Sequence, residues 1–305
     1  MDDVPVVALI TSQYALTSPI DPDRDLDLIA EALEARGVDV RLLDWLDPTS
    51  DYSDLDLVVI KSPWDYAGRA DQFLAWLGRA ERLAPVLNHP EMIRWNLDKR
   101  YLATLTERGL SVCPTVFCGS PDEVREVLEA ASGRVVVKPN VSAASADTGL
   151  FEPHDPAARS LAERILGDGK VVMVQPAIAS VAEVGERSLI LFDGEIVHAI
   201  RKGPLLALGG GLLGEDYQET ITAELAPDDE CALAVAALGV VAEVFTELGV
   251  PQACPPLYAR VDVARDASDR PIIMELELFE PSYFLDLLPG AEHRFADAVM
   301  RRLGA

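Results

Sequence analysis

The amino-acid sequence predicts an α/β protein that begins with a parallel sheet and continues as an α+β arrangement of antiparallel strands. Three observations lead to this prediction. β-branched runs alternate with helical patterns over the first 90 residues, and hairpin signals follow from residue 183 onward. The 305 residues are also enough for two or three folding units, each with its own core.

The composition is that of a globular enzyme with a strongly acidic balance. Apolar residues make up 49% of the chain, and acidic residues outnumber basic ones by 51 to 26, which gives a formal net charge of −25. This charge repels nucleic-acid phosphates and anionic lipids, so we expect neither nucleic acid nor a membrane as partner. ATP remains a suitable ligand where local basic residues and metal ions offset its phosphates.

The cysteines and the chain start predict a cytoplasmic protein. Cys113, Cys118, Cys231 and Cys254 lack the spacing of a zinc site, which predicts reduced and mostly buried thiols. The N-terminus is acidic where a signal peptide is basic, and the longest apolar run, 231–242, is shorter than the ~20 residues of a membrane span. The sequence does not give the oligomeric state, and a homo-oligomer stays open.

The first 90 residues predict a small parallel α/β domain. Strand-like and helical patterns alternate there, at 4–11, 25–36, 38–45, 55–62 and 69–83. A helix over 96–108 follows. Because the strands are of the buried, almost continuously apolar type and alternate with helices, we expect their sheet to be parallel.

The middle of the chain predicts a compact α+β subdomain. Its strands and helices are expected at 115–119, 121–131, 134–139, 156–166 and 171–176. The loop 140–149 is rich in Ser, Ala, Asp and Gly, which favours mobility.

The last third of the chain predicts antiparallel hairpins. Two strands meet at Asp193-Gly194, a strong hairpin dipeptide. A long helix, a second pair of strands and a terminal helix are expected at 228–248, 258–266, 270–281 and 291–303.

The second hairpin carries the clearest chemical signal. Glu275 and Glu277 are two residues apart, so they share one face of a strand, and Asp262 lies on the predicted partner strand. If position 262 pairs near 275, three carboxylates converge, and a hard divalent cation shared with nucleotide phosphates would relieve their repulsion. A solvated polar face of a half-exposed sheet is the alternative interpretation.

Basic residues also occur in strand-like segments, where charge is unusual. Lys138 ends an apolar run just before the loop 140–149, so its ammonium group could reach a phosphate beneath that loop. Considered singly, Lys99 or Lys138 fits a surface role. Cations facing carboxylates are what metal-nucleotide binding requires, and the candidates are Lys99, Lys138, Arg187, Arg201, Lys202 and Arg260.

Two segments follow the carboxyl ends of predicted parallel strands, where open α/β sheets bind ligands. Trp64, Asp65 and Tyr66 are candidate substrate contacts, and a turn anchored by a packed tryptophan is the alternative. Ser12 qualifies by the same position after the first strand.

The order of these segments resembles the ATP-grasp superfamily of ligases. The matching segments are NLDKRYLATL (96–105), VVVKPNVSAAS (135–145), VVMVQPAI (171–178), VGERSLILFDGEIVHAIRK (184–202), YARVDV (258–263) and IIMELELFEP (272–281). KSPWDY (61–66), LNHPEMIRWNLDKRYL (87–102) and the ending ELELFEP further resemble the subgroup that contains the cyclo-ligase of D-cycloserine biosynthesis. The resemblance implies an N-terminal α/β domain, a central lid and a C-terminal antiparallel domain, at 1–90, 112–176, and 91–111 with 177–305.

The resemblance also implies site residues. One set would surround ATP: Lys99, Lys138, Ser142, Ser145, Gln175, Pro176, Ala177, Ile178 and Glu183. A second set would hold Mg²⁺, with Mn²⁺ as the alternative ion: Asp262, Glu275 and Glu277, the last standing where most relatives carry Asn. A third set would stabilise the transferred phosphate or bind the substrate: Arg187, Arg201, Lys202 and Arg260.

The activity implied by the resemblance is ADP-forming ligation. A small amino-acid-like carboxylate would become an acyl phosphate and then be attacked by a nitrogen nucleophile. The nucleophile can lie on the same molecule, as in closure of O-ureido-D-serine to D-cycloserine, or on a second one, as in peptide-type ligases. A non-catalytic ATP-binding regulator and a plain α/β binding module stay open as alternatives.

Overall fold

A computed structural model gives the fold of the chain and describes residues 4–213 and 220–304. The strands are β1 (Val6–Thr11), β2 (Asp39–Asp44), β3 (Leu57–Ser62), β4 (Val86–Leu87), β5 (Val116–Cys118), β6 (Val135–Pro139), β7 (Gly149–Phe151), β8 (Val172–Pro176), β9 (Glu186–Phe192), β10 (Glu195–Lys202), β11 (Ile221–Glu224), β12 (Tyr258–Arg265) and β13 (Pro271–Glu277). The α-helices are α1 (Gln13–Thr17), α2 (Asp25–Glu34), α3 (Ala70–Ala80), α4 (Pro90–Asn96), α5 (Tyr101–Glu107), α6 (Pro121–Ala130), α7 (Pro156–Gly167), α8 (Ala179–Val184), α9 (Asp228–Glu247) and α10 (Ala291–Leu303).

The first sheet has the order β2-β1-β3-β4, and its strands are parallel. Alternate residues of β1 and β3 face opposite sides, which is why both strands are apolar throughout. One face packs against α2 and α10, and the other against α3. The predicted parallel sheet is therefore confirmed.

The second sheet has the order β5-β8-β6-β7 and is antiparallel. Its core residues include Val135 and Val137 of β6, which pack with Leu161 and Ile165 of α7. The sequence did not indicate β7, because three residues are too short to display a strand period.

The third sheet has the order β11-β10-β9-β12-β13 and is also antiparallel. One face packs against α9 and the α4–α5 segment. The β9–β10 hairpin turns at Asp193 and Gly194, whose φ angles of 53° and 84° are the left-handed values that a tight hairpin requires. The predicted hairpin is confirmed.

The helix predicted over 96–108 was wrong at its start, because α4 ends at Asn96 and α5 begins at Tyr101. The Asn96 side chain donates to the carbonyl of Leu276 at 2.8 Å and accepts from the Leu278 amide at 2.7 Å, which ties this point of the chain to β13. The Lys99 amide donates to the carbonyl of Asn140 at 2.8 Å instead of continuing a helix. Lys99 therefore lies in a turn between two helices.

Each sheet draws its strands from one of the three segments predicted to form domains. The exact domain boundaries stay a prediction. Within the described parts of the chain, no helix combines the length and apolar character needed to cross a membrane. All four cysteines are free, and burial raises the pKa of Cys113 and Cys118 to about 11, so these two thiols are poorly reactive.

Candidate active site

A cleft of about 250 Å³ lies between the second and third sheets. On one side it is lined by β6, β8 and the loop after β6, and on the other by β10, β12 and β13. We call it the main cleft. It gathers seven of the charged residues that the sequence singled out: Lys99, Lys138, Lys202, Arg260, Asp262, Glu275 and Glu277.

The acidic residues of the main cleft come from neighbouring strands in direct register. Asp262 of β12 is paired with Glu275 of β13, and Arg260 is paired with Glu277. Directly opposed residues of an antiparallel pair project on the same side of the sheet. The predicted pairing of position 262 with 275 is therefore confirmed.

Cations contact each of these carboxylates. Lys202 Nζ lies 2.7 Å from Asp262 Oδ2, and Arg260 Nε donates to Asp262 Oδ1 at 2.9 Å. Arg260 also forms an ion pair with Glu277. Lys99 Nζ lies 3.0 Å from Glu275 Oε1. Opposite charges thus alternate along the floor of the main cleft.

Burial and charge act in opposite directions on these groups. Burial alone would raise the pKa of Asp262, but Arg260 and Lys202 outweigh it and hold the pKa below its usual range. For Glu277 burial prevails over Arg260 and raises the pKa to about 7. Asp262 is consequently ionised throughout the neutral range, whereas Glu277 is only partly ionised there.

Lys99 connects the loop after β6 to β13. Its ammonium group donates to the Ser142 carbonyl at 2.7 Å and lies 3.0 Å from Glu275. Burial opposes protonation of Lys99, but Glu275 and Glu280 overcome this effect and raise its pKa. Lys138 also lines the cleft and, with Lys99, lowers the pKa of Glu275 against the effect of burial.

The far end of the main cleft is largely apolar. Gln175, Pro176, Ala177 and Ile178 line it together with Met274. The Gln175 side chain donates to the Thr115 hydroxyl at 2.8 Å, and the Ala177 amide donates to the Arg134 carbonyl at 2.8 Å, so this wall is fixed before any ligand arrives. An apolar wall of this kind suits an aromatic base.

The loop after β6 covers part of the cleft. Ser142 and Ser145 both line the cavity, as the sequence predicted for this loop. Ala144, Ser145 and Asp147 have φ angles of 47°, 55° and 51°, so this tight turn is built without glycine at positions that usually favour it.

Arg187 and Arg201 do not line the main cleft, contrary to the sequence-based expectation. Both lie on the other face of the third sheet. Arg187 forms ion pairs with Glu230 of α9 and with Glu224 at 3.0 Å, and Arg201 lies 2.7 Å from the same Glu224. The reason is strand alternation: their neighbours Glu186 and Lys202 face the cleft, so these two arginines cannot.

Glu183 also lies elsewhere than expected. It is exposed on α8 and is not among the residues that line the cleft. Glu186, which the sequence analysis passed over, lines the cleft instead, with Lys202 Nζ at 3.7 Å. Burial raises the pKa of Glu186 although Lys202 opposes this effect. No local signal in the sequence distinguished Glu186 from Arg187, because the register with Asp262 that places Glu186 on the cleft face is set by strand pairing.

Of the candidate substrate residues, Trp64 and Tyr66 lie at or beside the main cleft, whereas Asp65 and Ser12 make structural contacts elsewhere. Trp64 lines the cleft and donates to the Glu280 carbonyl at 2.9 Å. Tyr66 is buried beside it and donates to Glu280 Oε1 at 2.5 Å. Asp65 instead accepts from the Trp45 indole at 2.7 Å, and buried Ser12 caps α1 and donates to the Ser62 carbonyl at 2.9 Å.

Glu280, Ser282 and Asp21 line the main cleft without having been predicted. Burial, reinforced by Glu277, raises the pKa of Glu280 well above its usual range. In the sequence, only the Glu280-Pro281 dipeptide at the end of the predicted strand 270–281 could have indicated Glu280.

Comparison with known proteins places the chain among ligases. Residues 7–88 match the family model of the N-terminal domain of D-cycloserine synthetase DcsG. The cycloserine biosynthesis protein DcsG of Streptomyces lavendulae is 36% identical over 307 residues, which cover 98% of this chain and 99% of that protein. The crystal structure of D-cycloserine synthetase DcsG matches with a TM-score of 0.87 and 35% identity, covering 98% of this chain and 99% of that one.

More distant structures share the fold. The ATP-grasp ligase PsnB, complexed with minimal precursor, Mg and ADP, has a TM-score of 0.64 at 18% identity, covering 99% of this chain and 98% of that one. D-alanyl-alanine synthetase A from Vibrio cholerae has a TM-score of 0.66 at 16% identity, covering 98% and 97%.

Proposed function

The chain belongs to the D-cycloserine synthetase family of ATP-grasp ligases, and from this premise we propose that it closes the ring of O-ureido-D-serine. ATP would convert the substrate carboxylate into an acyl phosphate, and a nitrogen of the same molecule would then attack the carbonyl carbon and release phosphate. The observation that carries the proposal is the pair Asp262 and Glu275, which lines one cleft together with Lys99, Lys138, Lys202 and Arg260.

The acidic pair suits magnesium in the presence of nucleotide. In the described parts of the chain, no group of three or more His, Cys, Asp or Glu side chains is arranged to hold a metal ion by itself. Mg²⁺ is usually held by one or two carboxylates together with substrate phosphates, so Asp262 and Glu275 supply the appropriate number and kind of ligand. When bound, Mg²⁺ would offset the negative charge of the nucleotide phosphates.

The basic residues of the cleft would position the reacting groups. Lys99 and Lys138 would bind phosphate oxygens; the support for this role is that both side chains line the cleft near Glu275. Arg260 and Lys202 would orient the substrate carboxylate and stabilise the oxyanion that forms during nitrogen attack. The loop 140–149 would exclude water from the reactive acyl phosphate.

We propose that the apolar wall at 175–178 binds the adenine. Glu186 would bind the ribose in place of Glu183, because it lines the cleft and is close to Glu183 in sequence. We further propose a cytoplasmic location, since the four free thiols are compatible with a reducing compartment.

Product analysis tests the proposed function directly. The purified protein is incubated with ATP, Mg²⁺ and O-ureido-D-serine, with and without added amines, and both ADP and the cyclic product are quantified; Mn²⁺ replaces Mg²⁺ in a parallel series. We expect ADP and ring product without any added amine. ADP that forms only with a second amine would indicate intermolecular ligation, and no ADP with any acid would indicate a non-catalytic ATP-binding protein.

A further inference from the structure

A second cavity of about 540 Å³ adjoins the main cleft. It lies between the segment that precedes α2 and the segment that follows β13. Asp21, Lys202, Arg260 and Ser282 line both cavities, so the two spaces meet at these side chains. The volume is within the range of small-molecule sites, ~300–1,000 Å³.

The lining of the second cavity carries both signs of charge. Lys202 and Arg260 contribute the cations at the border with the main cleft, and several aspartates contribute the anions. Cations lie close to Asp23, Asp25 and Asp286. Lys61 Nζ lies 3.0 Å from Asp23 Oδ2 and 3.1 Å from Asp25 Oδ2. At the rim, Arg24 lies 3.7 Å from Asp286.

Asp21 differs from the other aspartates in its position, because it alone among them borders the space shared with the main cleft. It therefore lies on the same boundary as the cations that would orient a substrate carboxylate. An α-amino acid carries an ammonium group one carbon away from its carboxylate, so a site for such a molecule needs an anion and cations at one boundary.

The walls of the second cavity are held rigidly. Asp25 accepts from the Tyr283 amide at 2.6 Å and from the Leu285 amide at 2.9 Å. Lys61 donates to the Pro281 carbonyl at 3.2 Å. These buried bonds fix the segment that carries Ser282, so the site is organised before a ligand binds.

We propose that the second cavity holds the amino-acid end of the substrate, with Asp21 receiving the α-ammonium group while Arg260 and Lys202 hold the carboxylate beside the nucleotide. This inference rests on the proposed function and assigns to Asp21 the recognition of the α-amino group that O-ureido-D-serine carries. An acid with a hydroxyl group at that carbon loses the contact with Asp21.

The test compares two substrates in two variants. Asp21→Asn removes the charge at similar volume, and Asp27→Asn removes an equivalent charge on an exposed position of α2. The substrates are O-ureido-D-serine and its counterpart with a hydroxyl in place of the α-amino group. The measurements are KM for each acid, KM for ATP, and calorimetric affinity for each acid in the presence of a non-hydrolysable ATP analogue.

We expect Asp21→Asn to raise KM and Kd for the amino acid by roughly ten- to a hundredfold, which is the effect of one charged hydrogen bond. KM for ATP and the Kd of the hydroxy acid should be unchanged, and Asp27→Asn should resemble the wild type. Equal weakening of both acids, no weakening of the amino acid, or a wild type that binds neither acid would overturn the subsite. Asp21-dependent binding without any ADP release would instead overturn the ligase proposal and leave the subsite standing.

Discussion

Lys202 and Arg201 are adjacent in β10, yet their side chains project from opposite faces of the third sheet. The same holds for Glu186 and Arg187 at the start of β9. At both places two charged residues follow each other, so the local sequence cannot show which of the two side chains faces the cleft. The register with Asp262 decides it, and register became known only when the strands were paired.

Substitutions of Lys202 and of Arg201 should have different effects on activity, because only Lys202 faces the main cleft. We expect Lys202→Met to lower kcat/KM for ADP formation by about 10²-fold or more, since it removes a cation beside Asp262. Arg201→Met removes a partly exposed side chain that contacts Glu224, so kcat/KM should stay within a few-fold of the wild type. A larger loss with Arg201→Met than with Lys202→Met would contradict the assignment of faces.

The acidic pair gives a second prediction for single residues. Glu275→Gln keeps the shape of the side chain but removes the charge needed for Mg²⁺, and Lys138→Ala removes a cation from the same cleft. Both variants should lose nearly all substrate-dependent ADP formation while retaining the circular dichroism spectrum of the wild type. Glu183→Gln on the exposed face of α8 is the matched control and should remain active. Near-normal turnover of Glu275→Gln would remove the basis for the metal assignment.

His198 predicts a pH dependence of stability. Its Nε2 lies 2.7 Å from the Tyr283 carbonyl, and burial lowers the pKa of the ring below its usual value. The unfolded chain therefore binds a proton at a higher pH than the folded chain, and stability contributed by neutral His198 is lost as pH falls below ~6.5. Denaturant titrations between pH 7.5 and 5.5 should show a shallower decline for His198→Gln; parallel curves for both proteins would contradict this.

Individual elements show where local sequence is insufficient. Helices α2, α3, α9 and α10 could be predicted because their apolar faces repeat over ten or more residues. The break between α4 and α5 could not, since Asn96 is anchored to β13, a strand 180 residues later in the chain. Likewise β7 and β11 are too short to show a period.

The Lys61 cluster joins three elements and predicts a large stability effect. Lys61 on β3 is fully buried between Asp23 and Asp25, and Asp25 in turn holds the segment after β13. Lys61→Met leaves two buried carboxylates without a counter-ion and should lower the free energy of unfolding by about 3–5 kcal/mol. Lys170→Met, which removes hydrogen bonds only to carbonyl groups, should lower it by about 1–2 kcal/mol in the same urea titration. Equal losses would refute the proposed role of charge.

The main cleft lies between two sheets that are formed by different parts of the chain. For this reason the sequence could predict the existence of the cleft but not its complete lining. The sequence indicated the residues of β6, β12 and β13 separately. Their meeting in one cavity, and the presence there of Glu280, Ser282 and Asp21, depends on long-range packing.

Nucleotide should stabilise the molecule as a unit, because it would contact the second and third sheets together. At a concentration 100-fold above Kd, Mg-ATP is expected to add ~2.7 kcal/mol to the free energy of unfolding. Thermal unfolding with and without Mg-ATP measures this. Glu275→Gln should lose most of the shift, and a wild type without any shift would favour a plain binding module.

The ammonium group of Lys99 is shared between the Ser142 carbonyl and Glu275. Under the proposed function, a phosphate that binds Lys99 would compete with both partners. We therefore expect nucleotide binding to change the surroundings of loop 140–149 and of β13 together.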